Sequence, residues 1–296
     1  MRPGPPEHPV PAFDTPEPIH ATVTFGHGRL TVRAADRPDT RVTVRPRDPG
    51  DDADVSAAAR TSVDYDHGRL RVTTPGSRAM SWLGLRGAVE IDIDLPTGSR
   101  LDADTQADVH AEGRLAACAL STASGEIRLG RTGALRLRTT DGRITVAEAT
   151  GPVEVATAHG EVRIGRVDGP ALIRSGHGAV ELGEVTGDLT VRTAYGHVGV
   201  DRALAAVSAT TAGGDIRLGE ITRGEVTLET AYGRLSAGVP TGTAAWLELS
   251  TDHGTVRSEL APAPAPREGE PVVELRARSR YGDVLVHRAP PPGGRA

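Results

Sequence analysis

Val153-Glu-Val-Ala-Thr-Ala-His-Gly-Glu-Val-Arg-Ile-Gly-Arg-Val-Asp-Gly-Pro170 is the stretch that decides the fold. Apolar residues stand seven and five places before Gly160 (Val153, Val155) and two and four places after it (Val162, Ile164). This is period-two alternation on both sides of a glycine, the pattern of half-buried strands rather than helices. A second glycine, Gly169, is followed directly by Pro170, and proline tolerates a strand start but not a central strand. The stretch therefore reads as strand, glycine corner, strand, glycine corner.

The same unit recurs along the chain. Gly125, Gly142, Gly160, Gly178, Gly196, Gly214 and Gly233 are spaced by 17, 18, 18, 18, 18 and 19 residues, and the spacing then widens to Gly254 and Gly282. A second set, Gly133, Gly151, Gly169 and Gly187, follows each by eight or nine residues; Ala205 takes the next place and Gly224 resumes it. Three residues before each first-set glycine stands a hydroxyl: Thr122, Thr139, Thr157, Ser175, Thr193, Thr211, Thr230, Thr251 and Ser279. Self-similarity at a fixed period marks a solenoid.

One such unit cannot stand alone. Roughly five inward side chains at about 1.5–3 kcal/mol each lose to the ordering of 18 backbone residues at ~1–2 kcal/mol each. Stacking resolves the deficit, because each rung pairs with the next at about 4.8 Å and shares its core. Inward Thr and Ser then form a ladder whose hydroxyls are expected to satisfy one another between rungs. Outward, Glu126, Arg143 and Glu161 occupy equivalent places and alternate in sign. Counted from Asp108, which stands where the glycine would be, about ten rungs are expected over roughly 45–50 Å.

The expected architecture is a single-domain, all-β parallel β-solenoid (β-helix) with about 18 residues per rung. Residues 19–100 are strand-rich but irregular. Phe25-Gly-His-Gly-Arg-Leu-Thr-Val32 and Tyr65-Asp-His-Gly-Arg-Leu-Arg-Val72 echo the repeat, and Val89–Leu95 alternates cleanly. This region is expected to form degenerate first rungs and a cap, since an open solenoid end would template edge-to-edge pairing. Residues 101–286 hold the repeats, with a proline-rich loop inserted at 261–270. Residues 1–18, with seven of the 22 prolines, and the tail 287–296 are expected to be disordered. Met80-Ser-Trp-Leu-Gly-Leu85 is an apolar cluster outside the repeat. Met80, Trp82, Leu83 and Leu85 are read as an end cover or as the partner-binding patch.

Composition narrows the function. Only 8 of the 296 residues are aromatic and the net charge is −5. Base-stacking platforms and a basic field are thus both missing, which argues against nucleic acid. All 34 basic residues are arginine, which excludes a lysine Schiff base or a phosphate-loop lysine. The single cysteine, Cys118, falls on an inward position and reads as a core thiol, with no intramolecular disulfide and no all-cysteine metal site. The sequence shows no signal-peptide stretch and no membrane span, and the cytoplasm is the expected compartment.

The Thr-x-His/Tyr-Gly-x-Val-x-Val unit, led by Leu95-Pro-Thr-Gly-Ser99, resembles the bacterial family of glycine-rich β-strand-repeat proteins labelled putative adhesins, a domain of unknown function. The resemblance covers roughly residues 20–286. It implies a β-solenoid fold, a binding role and a surface location, and it brings no catalytic residues.

The residue before the corner glycine runs Ser124, Asp141, His159, His177, Tyr195, Gly213, Tyr232, His253 and Tyr281. Asp141, His159 and His177 sit on adjacent rungs, near enough to be weighed as ligands of a divalent metal such as Zn²⁺. The favoured alternative is structural, because Asp and His tolerate a strained corner and stack there. Calcium is not expected: only Gly213-Gly-Asp215 hints at the Gly-Gly-x-Gly-x-Asp signature, and no regular carboxylate supplies oxygen ligands. Glu126, Glu161, Glu181 and Asp215 are outward carboxylates to be weighed as glycan-cleaving acids. They alternate with Arg128, Arg163 and Arg217 in what reads as a solvated charge ladder. Gly26-His-Gly28 and Gly176-His-Gly178 lead into strands, so neither is a dinucleotide loop.

The expected function is a non-enzymatic scaffold that binds a macromolecular partner, a protein, with no cofactor and no resident metal. The expected state is a monomer or an end-to-end dimer. The alternative is a carbohydrate-active or metal-binding module using the corner His and Asp residues.

Overall fold

The structure, a computed structural model, describes residues 11–75, 87–261 and 272–289. It divides into two compact units, Met1–Gly130 and Arg131–Ala296. Both are built from parallel β rungs, so the chain is a β-solenoid. Met80, Trp82, Leu83 and Leu85 lie outside the described residues, as does most of the 261–270 insertion.

In the first unit, β1 (Ala12–Asp14) is followed by β2 (His20–Thr24), β3 (His27–Ala35) and β4 (Asp39–Pro46). Helix α1 (Asp52–Ala59) leads into β5 (Ser62–Asp66) and β6 (Arg69–Thr73). Then come β7 (Ala88–Pro96), β8 (Arg100–Thr105) and the long β9 (Asp108–Ser124). The rungs do not stack in chain order. β2 lies between β6 and β8, and β3 lies between β7 and β9, all in parallel. The earliest rung is therefore interior to the unit.

The cap is antiparallel. β4 runs against β7 and carries β1 on its other edge, while β5 runs against β6. Reversing direction on the outer edge stops further parallel stacking, one of the devices that protect a sheet edge. The turn between β5 and β6 places His67 (φ 44°) and Gly68 (φ 76°) in the left-handed region, as a two-residue type I′ hairpin requires. The Tyr65–Val72 echo of the repeat is thus a hairpin, not a solenoid corner. Helix α1 starts at Asp51, whose side chain accepts the Ala53 N–H at 2.8 Å. It packs on β4 and β7. Its buried Asp54 accepts the N–H of Asp48 (3.0 Å) and of Ala88 (2.6 Å), so the carboxylate ties the helix to the sheet.

Strand β1 extends into residues expected to be disordered. Thr15, buried beside it, shares a 2.8 Å hydrogen bond with Thr40, and Phe13 packs on Tyr65 with centroids 5.0 Å apart and the rings tilted by 32°. These few contacts hold a segment whose composition alone offers little reason to order.

Strand β10 (Ile127–Asp141) crosses the unit boundary, and the second unit is the regular part. Its first rungs are β10 with β11 (Ile144–Ala149), β12 (Val153–His159) with β13 (Val162–Val167), and β14 (Ala171–His177) with β15 (Val180–Val185). Next come β16 (Leu189–Tyr195) with β17 (Val198–Ala203), β18 (Val207–Gly213) with β19 (Ile216–Ile221), and β20 (Gly224–Tyr232) with β21 (Leu235–Val239). Each strand pairs in parallel with its equivalent one repeat on, Val153 with Ala171 and Ala171 with Leu189. Apolar positions fill the core and intervening positions face out, as the alternation predicts; Ile144, Val162, Val180, Ile216 and Val226 are at most 1 % exposed. Gly160 shows why the corner is glycine: φ is +145° and a Cβ there would lie 2.0 Å from the Gly142 carbonyl oxygen.

The last rungs depart from chain order. β22 (Ala244–His253) and β23 (Val256–Ser258) precede β24 (Val272–Tyr281) and β25 (Val284–Arg288), yet β20 pairs with β24, and β24 with β22. β21, β25 and β23 follow the same order. The final stretch thus enters between two earlier rungs and leaves β22–β23 outermost. β25 also runs into the segment expected to be a disordered tail.

The hydroxyl register is inward, as its spacing predicts. Thr122, Thr139, Thr157, Ser175, Thr193, Thr211, Thr230 and Ser279 are all at most 8 % exposed. Their partners differ from expectation. Thr139 and Thr157 donate to the carbonyls of Asp141 (3.1 Å) and His159 (3.3 Å), and Thr230 and Ser279 donate to those of Gly214 (3.1 Å) and Gly233 (3.0 Å). The glycine corner turns these carbonyls toward the hydroxyls, and a backbone acceptor wins over a neighbouring side chain. The hydroxyls of Ser175, Thr193 and Thr211 find no partner.

Candidate functional site

The residue before each corner glycine projects from one corner of the second unit. Register places Asp141 beside His159, His159 beside His177, and His177 beside Tyr195. It continues through Gly213 to Tyr232, then to Tyr281, and ends at His253. Parallel in-register stacking forces equivalent side chains into a column, and planar rings at that spacing stack. His159 lies 5.1 Å from His177 at 13° between planes, and His177 lies 5.3 Å from Tyr195 at 19°. Tyr232 and Tyr281 are 5.0 Å apart at 4°, and Tyr281 and His253 are 4.5 Å apart at 12°. Tyr195 and Tyr232 are 57 % and 62 % exposed, so the column is a surface feature.

This geometry suits stacking better than metal ligation. Asp141 Oδ1 stands 3.3 Å from His159 Nδ1, so that carboxylate and imidazole do meet. His159 and His177, however, face each other ring to ring. Lone pairs on stacked imidazoles lie in parallel planes and do not converge on a point about 2.0–2.1 Å from both nitrogens. Among the described residues, no group of three or more His, Cys, Asp or Glu is placed to hold a metal ion.

The outward carboxylates are largely bound up with arginine. Arg143 and Arg163 both pair with Glu161, and Arg128 pairs with Glu126 at 2.9 Å. Asp215 accepts the Arg234 N–H at 2.8 Å, with His197 Nδ1 3.9 Å from its other oxygen. Along another outward line, Arg166, Glu184, Arg202 and Glu220 alternate and pair at 3.1–3.3 Å. Glu181 differs: its carboxyl leans over Gly199, and burial, with Asp201 adding like charge, raises its pKa. A raised carboxyl is one half of a glycosidase pair, but the other outward candidates are committed to arginines or to backbone N–H groups.

At the outermost rung, Trp246 is 69 % exposed. It borders an open concavity of about 250 Å³ with Glu248, Glu274 and Arg276. Arg276 pairs with Glu248 at 3.3 Å and also with Glu225. Trp246 stands at an outward place in register with Glu274, so the alternation that turns Leu247 inward leaves it exposed. Cys118 is buried (2 % exposed) opposite Leu101, as its inward register predicts. Among the described residues, no helix is long and apolar enough to cross a membrane.

Fold and surface together define a β-solenoid that displays a column of stacked rings. Residues 28–259 match the model of the Toastrack family, DUF4097, and the chain belongs to that family. Solved structures with similarity include a putative adhesin from Parabacteroides merdae, 13 % identical with a TM-score of 0.45, covering 94 % of this chain and 95 % of that one. A putative lipid binding protein from Parabacteroides distasonis is 9 % identical with a TM-score of 0.30, covering 95 % of this chain and 96 % of that one. A putative cell adhesion protein from Clostridium sporogenes is 11 % identical with a TM-score of 0.25, covering 94 % and 98 %. No curated protein matches the chain.

Proposed function

We propose that this protein is a non-enzymatic binding scaffold whose ring column receives a protein partner. The observation that carries the reading is the column itself. Six His and Tyr rings stand in line on one corner, with Tyr195, Tyr232 and Tyr281 all exposed, on rungs rigidly stacked behind them. Exposed aromatic rings on a stiff backbone contribute large contact area at little entropic cost, which is what an anchoring surface needs. Repeat stacks offer such surfaces along their length. The committed carboxylates and the face-to-face imidazoles favour binding over catalysis.

The test is site-specific photo-crosslinking in the native cell. A benzophenone side chain placed at Tyr232 is expected to trap a discrete protein adduct, and one placed at Arg217 on another face is not. Metal content of the purified protein runs beside it. Stoichiometric metal that disappears in the His159→Ala, His177→Ala double variant would overturn the scaffold reading in favour of a metal-dependent module. Equal adducts from both positions would also overturn it.

A further inference from the structure

The ring column has one empty place. On the rung between Tyr195 and Tyr232 the equivalent residue is Gly213, which has no side chain to put there. The two tyrosines are therefore two rungs apart, about 9.6 Å at the usual inter-strand spacing. Elsewhere in the column neighbouring rings sit 4.5–5.3 Å apart. At the backbone the gap spans one rung. Tyr195 forms one wall and leans over the bare backbone, its Cδ1 3.0 Å from where a Gly213 Cβ would be. Tyr232 forms the other wall, and both are more than half exposed.

We infer that this gap is a slot for a single flat, neutral aromatic side chain, presented by the polypeptide partner and completing the column. This rests on the scaffold reading above. Charges of both signs lie near the middle rung: Arg192 and Glu229 flank Thr210 in register, and Asp215, two places after Gly213, accepts the Arg234 N–H. Tyr232 and Tyr281, 5.0 Å apart, show that an uncharged ring packs at this spacing. The glycine is what makes the slot. Gly213 does not have positive φ, unlike the corner Gly214 (φ +144°), so its backbone does not demand glycine. The only close neighbour of a Cβ there is the movable Tyr195 ring.

The test uses the full chain with ¹³C-labelled tyrosine, which gives four ring signal sets to assign. N-acetyl-tryptophanamide is the probe. Saturable upfield shifts are expected at Tyr195 and Tyr232 and not at Tyr65. Gly213→Tyr, which fills the slot from within, is expected to weaken that binding about tenfold or more, the loss of two stacking faces. Tyr232→Ala removes one exposed wall and should weaken it severalfold, the loss of one stacking face, which keeps the test decisive if Gly213→Tyr folds poorly. Shifts absent from Tyr195 and Tyr232, or unchanged in both variants, would overturn the slot. Tighter binding of N-acetyl-argininamide at the same rings would overturn its assignment to a neutral ring. Failure of the slot with crosslinking at Tyr232 intact would leave the scaffold reading standing; loss of crosslinking strikes the scaffold reading itself.

Discussion

Thr230 stands beside Ser279 in the stack, not beside Thr251, the next hydroxyl in chain order. Ser279 in turn pairs with Thr251 on its other side. The last segment of the chain is therefore a buried rung, and the one before it is the exposed end. Leu275 is 1 % exposed, while Leu247 at the equivalent place on β22 is half-buried. Leu275→Ala is expected to cost about 2–5 kcal/mol, the range for a core cavity, and Leu247→Ala clearly less. Urea denaturation of the two variants checks the difference.

The inward hydroxyls separate into two kinds. Thr193 is buried without a partner, whereas Thr230 donates to the Gly214 carbonyl. Thr193→Val is expected to be neutral or stabilising, because it removes a buried polar atom that bonds to nothing. Thr230→Val should cost on the order of 1 kcal/mol or more, since it strands a carbonyl as well. Thr193→Asp puts a charge into the core and should cost several kcal/mol. Thermal melts of the three variants would show the order, and a melting temperature for Thr193→Asp equal to the parent's would contradict the inward register.

Two glycines with positive φ make a matched comparison. Gly160 has a backbone oxygen 2.0 Å from its missing Cβ, while Gly68 in the β5–β6 turn has nothing within 4 Å. Gly68→Ala bears only the left-handed strain, about 1–2 kcal/mol. Gly160→Ala must also push two rungs apart and should prevent stable folding. Soluble yield and far-ultraviolet circular dichroism distinguish the outcomes.

Two carboxylates should give opposite pH behaviour. The folded-state pKa of Glu181 is raised, chiefly by burial, so its penalty on the folded state is absent in acid and grows as pH rises through the raised value. Glu181→Gln should be more stable than the parent at pH 7 and converge with it below the ordinary glutamate range. The Arg37 hydrogen bond lowers the pKa of Asp39, so its contribution is present above the ordinary aspartate range and lost as pH falls through the folded value. Asp39→Asn should be less stable at pH 7 and converge with the parent in strong acid. Denaturation midpoints across pH would reveal both signs.

The repeat made much of this legible. Val153, Val155, Thr157, Val162 and Ile164 face inward as their spacing around Gly160 requires, because alternation is a local property of strands. The order of rungs is not local. Thirteen residues separate Ser258 of β23 from Val272 of β24, enough chain to double back past a rung, and closing a loop of that length costs little more than closing a shorter one. Spacing cannot tell a detour from an insertion, so β24–β25 and β2–β3 were both misplaced by chain order alone. The ring column was visible as a list of residues before glycine, but the neighbours of Tyr281 and the meaning of Gly213 depended on that order.

Cysteine pairs on adjacent outward positions test the rung order most directly. Glu229 pairs in register with Arg278, and Arg278 with Ser250, whereas Glu229 and Ser250 lie on rungs two apart, about 9.6 Å. Disulfides form only when the Cα atoms are within about 7 Å. Under mild oxidation, Glu229→Cys with Arg278→Cys and Arg278→Cys with Ser250→Cys are expected to crosslink, and Glu229→Cys with Ser250→Cys is not. A crosslink between positions 229 and 250, with none between 229 and 278, would contradict the fold described.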